Sequence, residues 1–223
     1  MHSLVHLAAR VWVRQEIDGE KLRQAAVAHL AAVFQSDDWD DRERWRQYMP
    51  HVLRVIRDGG GTGEWGGECR LGYWAGRCLY VEGRIPEAVD LLKHVVKVPE
   101  TMLAENHPDR LASQHELARA YQANGQVKEA VDLLEYVVKV EETMLAENHP
   151  DRLASQHVLA GAYQANGQVK EAVDLLEHVV KVKSSVMAYG HPSRRVSESL
   201  LARLKAAGSP RRPGLDGAGC DLH

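Results

Sequence analysis

Along the chain, apolar residues recur with the period of a helix rather than that of a strand. Between residues 108 and 123, Leu111, Leu117, Ala118 and Tyr121 recur at spacings of three, four and six, and Pro108 stands where a first-turn proline would. Asn124-Gly125 closes that run, because glycine accepts the left-handed conformation that ends a helix without a Cβ clash. A second run over 127–146 sets Val127, Ala130, Val131, Leu134, Val137 and Val138 on one face. Glu129 and Asp132 near its start and Lys139 further along suit the helix dipole. The pattern predicts a pair of helices joined by a tight turn. Leu117, Tyr121 and Leu134, with Leu159, Tyr163 and Leu176, are its expected core.

The pair repeats. The 34 residues from His107 and the 34 from His149 are identical at 31 positions, at an offset of 42; Glu116/Val158, Arg119/Gly161 and Tyr136/His178 differ. An earlier, diverged copy keeps Gly83, Glu87-Ala88-Val89 and Leu91-Leu92 in register, and a partial copy opens at His191. In the diverged copy Ala75-Gly76 stand where Leu117-Ala118 do, and Leu79 replaces Tyr121. Its Pro99, opposite Glu141, removes a helical hydrogen bond, so a kink or an early end near Val98 is expected. Lys205, in the place of Tyr121 and Tyr163, marks the last helix as a solvated cap. Neither helix of a pair can bury its stripe alone, whereas stacked copies bury a continuous core.

A 42-residue period alone would admit several helical arrays. Leu117-Ala118-x-x-Tyr121, then Gly125 and Ala130, resembles the tetratricopeptide (TPR) consensus, with small residues at 118 and 130 letting the helices approach. The eight residues beyond the usual 34, running through ETMLAENHP, make the unit similar to the TPR repeats of kinesin light chain. The resemblance covers about residues 68–207 and implies an all-α fold, a right-handed α-solenoid of helix hairpins with about three repeats and a capping helix. In such arrays the first helix of each pair lines a concave groove. That places Tyr73, Arg77 and Tyr80 of repeat 1, His115, Glu116, Arg119, Gln122 and Ala123 of repeat 2, and His157, Gly161, Gln164 and Ala165 of repeat 3 on or beside the groove. Kinesin light chain repeats carry an Asn-Asn pair where this chain has His115-Glu116 and His157-Val158, a departure that speaks against recognition of kinesin-type cargo peptides.

Residues 1–58 do not follow the period, and three helices are expected there: MHSLVHLAARVWVR, Leu22–Phe34 and WDDRERWRQYMPHVLRVI. Met1-His2, Leu4-Val5-His6-Leu7-Ala8, Arg10, Trp12 and Tyr48-Met49-Pro50-His51 resemble the junction between an NB-ARC winged-helix region and a TPR array in fungal NLR-like (STAND) proteins. The segment is therefore expected to be a helical leader. It is joined by a glycine-rich linker over 59–67, and a disordered tail is expected over 208–223. No G-x-x-x-x-G-K-[ST] phosphate loop occurs, and GGGTGEWGG has neither the lysine nor a preceding strand. The nucleotide switch of those proteins is absent from this sequence.

Charge and chemistry narrow the function. Residues 59–182 carry a net −7, which repels phosphate backbones and speaks against nucleic acid, while 183–223 carry +4. No apolar run approaches the ~20 residues needed to span a bilayer. Three scattered cysteines, Cys69, Cys78 and Cys220, imply no disulfide framework and fit a reducing, cytoplasmic setting. His2 and His6 have zinc-helix spacing but lack the HExxH glutamate and a third ligand. His107, His149 and His191 sit a repeat apart, too far to share a metal, and read as residues that open helices. Ser113 and His115 point to different sides of a helix and make no catalytic dyad. The Asp37, Asp38, Asp40, Asp41 cluster reads as a helix start on a solvated surface. No active site, cofactor or metal is expected. What remains is a non-enzymatic scaffold for a protein or peptide, centred on repeats 1 and 2, with self-association through the array ends as a further expectation. Arg119 could hold a carboxylate that Gly161 cannot. A kinesin-light-chain-like cargo adaptor is the first alternative, and an enzyme or metal protein from outside these classes the second.

Overall fold

A computed structural model describes residues 19–58 and 67–208. The N-terminal motif with His2 and His6, the glycine-rich residues 59–66 and the tail beyond 208 lie outside the described residues. Every regular element among the described residues is helical, and they form two compact units, one ending at Leu145 and the other beginning at Ala146.

The first unit holds three successive helix pairs. The leader supplies α1 (Gly19–Val33), a short 3-10 turn at Trp39–Asp41 and α2 (Arg42–Asp58). Repeat 1 supplies α3 (Gly67–Val81) and α4 (Ile85–Met102), and repeat 2 supplies α5 (Pro108–Ala123) and α6 (Val127–Met144). Each helix packs on the next in its pair, α4 also packs on α5, and both leader helices pack on α3. The second unit repeats the plan with α7 (Pro150–Ala165), α8 (Val169–Val186) and a closing helix, α9 (Pro192–Gly208), which packs on α8.

The sequence signals act as their chemistry requires. His107 and His149 are N-caps: each ring Nδ1 accepts the backbone N–H two residues on, at 3.2 Å, with Pro108 and Pro150 in the first turn. Gly125 and Gly167 close the turns at φ +80° and +81°, where a Cβ would be strained. Ala118 and Ala130 are fully buried, as are Leu134 and Leu176. In repeat 1 the approach is closer still. A Cβ on Gly76, at Ala118's position, would lie 2.6 Å from Leu92 Cδ2. The divergence of that copy is thus a tighter packing of α3 on α4.

Three expectations need correction, and one finding adds to them. Of the kink or early end expected near Val98, the early end does not occur: the helix continues through Pro99 to Met102. The second helix of repeat 2 stops at Met144, short of residue 146. Tyr121 and Tyr163 are half-buried, packed at the edge of their clusters rather than inside them. The leader, although outside the period, shares one core with repeat 1: Phe34, Trp45 and Val52 are fully buried in the cluster that holds Leu71, Ala75 and Leu79. Lys205 behaves as a solvated cap residue and pairs with Glu177 at 2.6 Å.

Candidate functional site

In the first unit the groove-face residues of α3 and α5 form a row of alternating charge. Arg77 and Arg119 occupy equivalent positions, 42 residues apart, and Glu116 lies between them. Its carboxylate is 3.4 Å from Arg77 Nη1 and accepts from Arg119 Nη1 at 3.0 Å. On its other side Arg77 reaches the leader, donating from Nη2 and Nε to Asp37 Oδ2 at 2.8 and 3.2 Å. Nη1 also donates to the Tyr73 hydroxyl at 3.0 Å, and the guanidinium lies over Trp74 at 5.1 Å. Burial opposes the Arg77 charge, but Glu116, Asp37 and Tyr73 outweigh it and hold the group charged beyond the usual arginine range. Burial likewise pushes the Tyr73 phenol up. Arg119 has one carboxylate where Arg77 has two, and its guanidinium lies over Tyr80 at 4.9 Å.

This arrangement sorts the expected groove residues. Tyr73, Arg77, Tyr80, Glu116 and Arg119 come together. Glu116, however, is buried at 6% exposure and is held between the two arginines. His115 and Gln122 are half-buried on the same helix, and Ala123 is exposed. The part of the leader was not legible in sequence: Asp37 belongs to a cluster that reads as solvated surface, yet it closes the row. Asp38 does act as a helix start, its side chain capping the 3-10 turn at 3.3 Å from the Asp40 N–H.

Beside this row lies an open cleft of about 900 Å³. One wall is the alanine face of α1, Ala28, Ala31 and Ala32; the others are Arg70, Tyr73 and Trp74 of α3 and Asp109 and Ala112 of α5. Arg70 is exposed and makes no ion pair among the described residues. Arg23 and Glu68 pair across α1 and α3, tying the leader wall in place.

In the second unit, His157, Gly161 and Gln164 are half-buried along α7 and Ala165 is exposed. The His157 Nδ1 is 3.1 Å from Ser197 Oγ of α9, so this histidine faces a neighbouring helix with that nitrogen. Ser113, the expected non-catalytic serine, donates to the Asp109 carbonyl at 2.8 Å, as a helical serine does. Burial pushes the thiols of Cys69 and Cys78 up to about 11 and about 12, which leaves them inert near neutral pH. Among the described residues no group of three or more metal-ligating side chains occurs, and no helix is long and apolar enough to cross a membrane.

The tetratricopeptide repeat model matches residues 110–151 and 152–193. A crystal structure from Podosopora anserina, described as a possible kinesin light chain with nearly identical TPR-like repeats, is 45% identical, covers 74% of this chain and is itself covered over 84%, with a TM-score of 0.61. The chain belongs to the tetratricopeptide-repeat family. A second crystal structure, of a point variant of the Podosopora anserina protein, is 39% identical over 86% of this chain and 89% of that one, with a TM-score of 0.68. The TPR hairpins here are therefore of the kinesin-light-chain-like kind. BtubC from P. vanneervenii, at 11% identity over 98% of this chain and 93% of that one and a TM-score of 0.59, shares the fold. No curated protein matches. TPR arrays are in general protein-interaction scaffolds.

Proposed function

We infer that this chain is a non-enzymatic, cytoplasmic scaffold that holds a protein or peptide segment on the first-helix face of its first unit. The observation that carries the reading is the cleft beside the charge row. It offers Arg70, exposed and without an ion pair among the described residues, and two half-buried aromatic rings, while Arg119, with one carboxylate partner, stands in the adjoining row. Aromatic and arginine side chains supply much of the energy at peptide interfaces, and a carboxylate can take two hydrogen bonds from one guanidinium. Arg77 serves the site indirectly, by fixing the wall through Asp37 and Glu116.

Peptides selected from a display library against the intact chain test this. Arg70→Ala with Arg119→Ala should weaken a selected peptide at least tenfold, while Glu135→Ala on α6 should leave binding unchanged. The reverse pattern would place the working surface on the second helices.

Two settings for such a scaffold differ in what surrounds it. The resemblance of the leader to an NB-ARC junction supports the sensor end of an NLR-like protein, and an upstream reading frame that encodes a phosphate loop would establish it. The Podosopora anserina relative's description supports a kinesin-light-chain-like adaptor instead; co-purification with a kinesin heavy chain would favour that setting.

A further inference from the structure

The second unit contains a buried polar cluster that peptide binding does not use. Lys183 on α8 is only 3% exposed. Its ammonium donates to Ser197 Oγ at 2.9 Å and to the Ser193 carbonyl at 3.2 Å, both on α9. Ser197 is fully buried, and its hydroxyl lies 3.1 Å from Nδ1 of His157 on α7. Three helices thus meet at one oxygen. No carboxylate accepts from the ammonium among the described residues. On α9, Glu198 next to Ser197 is taken by Arg194 at 2.7 Å and Arg195 is exposed; on α8, Glu177 is taken by Lys205. The lysine is peculiar to this repeat, since its counterparts are Glu141 and Pro99, whereas the serine and histidine recur as Ser155 and His115.

The proton count decides how the cluster behaves. With His157 neutral, Nδ1 accepts the Ser197 proton while the same oxygen accepts from Lys183, so the hydroxyl and the ammonium are both engaged. Protonation turns Nδ1 into a donor. Ser197 must then swing its proton to the Ser193 carbonyl, 3.3 Å away and already engaged by Lys183. Two cations then converge on one hydroxyl oxygen with no opposing charge.

We propose that His157, Ser197 and Lys183 form a proton-sensitive latch that holds α9 on the α7–α8 hairpin at neutral pH and loosens it in mild acid. Burial first, and then the Lys183 charge, keep the His157 pKa below its ordinary 6.5; burial also lowers that of Lys183. A base whose pKa is depressed in the closed state takes its proton first in the opened state. The latch is therefore intact above pH 6.5 and weakens as the pH falls through that value towards the closed-state pKa. One unit below 6.5 the opened state can gain at most about tenfold from this one histidine. Opening would uncover the apolar edge formed by Ala160, Ala172 and Leu176, which Leu204 covers.

Hydrogen exchange on the intact chain tests the latch, with protection corrected for the chemical exchange rate at each pH. Between pH 7.5 and 5.5, amides of α9 should lose several-fold protection, up to about tenfold, relative to those of α3 and α4. His157→Asn, which can still reach Ser197 but cannot titrate, should remove that acid-dependent loss. Equal loss in His157→Asn would overturn the proposal. A separate measurement does not depend on any variant: the His157 ring titrated by NMR in the unaltered chain should show a midpoint below 6.5, and a midpoint at or above 6.5 would also overturn it.

Discussion

Replacing Glu116 by valine gives repeat 2 the residue that repeat 3 carries at position 158, and the structure sets the size of the effect. The Glu116 side chain is 7% exposed and is shared by Arg119 at 3.0 Å and Arg77 at 3.4 Å. Removing one partner of a fully buried ion pair costs about 3–5 kcal/mol, whereas an exposed pair is worth about 1 kcal/mol or less. Here the two arginines keep 24% and 32% of their side-chain exposure, and each retains another partner, Asp37 and Tyr73 for Arg77 and the Tyr80 ring for Arg119. Water and those partners screen the loss, so Glu116→Val should destabilise the first unit by about 1–2 kcal/mol. Arg119→Ala in the same chain removes the group left without its carboxylate. The double variant should then be less destabilised than the two singles predict together, with a coupling of about 1 kcal/mol. All five tryptophans precede residue 75, so urea unfolding followed by tryptophan fluorescence reports on this unit. Single effects that simply add, within about 0.3 kcal/mol, would show that Glu116 does not hold the row together.

Gly76→Val should cost about 1–3 kcal/mol in the same assay, because the new Cβ lands 2.6 Å from Leu92 Cδ2; an unchanged midpoint would mean that α3 and α4 lie further apart than described. Leu134→Ala should cost about 2–5 kcal/mol as a truncation of a fully buried side chain, against about 0.5 kcal/mol or less for Gln122→Ala, and equal urea midpoints would contradict the burial assigned to them. Cys69 and Cys78, with thiols raised to about 11 and about 12, should resist iodoacetamide at pH 8 in the native chain and react in urea, as read by peptide mass mapping; native labelling of either would contradict their burial.

The array was legible because its signals are local and recur. The histidine N-caps, the glycine turns and the alanine contacts each act within a few residues, and the 42-residue offset then ties the copies together. Pro99 does not end its helix, because the local rule that removes one interior hydrogen bond does not say where the neighbouring packing will carry the chain, and α4 runs on to Met102. The candidate site was legible only in part. Helical spacing places Arg77, Glu116 and Arg119 on one face, but it cannot tell which of them is satisfied internally. That depends on Asp37, 40 residues before Arg77 and outside the period, and on the leader helices packing against α3. The Lys183 cluster was hidden for a similar reason: a lysine in an amphipathic helix reads as solvated, and only the approach of Ser197 from α9 reveals that it is buried.

The central claim is that the first-helix face of the first unit is where a partner lies. Hydrogen exchange of the intact chain, measured with and without a display-selected peptide at saturation, tests it most directly. The account predicts added protection on α3 and α5, strongest around Arg70–Trp74 and His115–Arg119, with α4 and α6 unchanged. Added protection confined to α4 and α6 would contradict it.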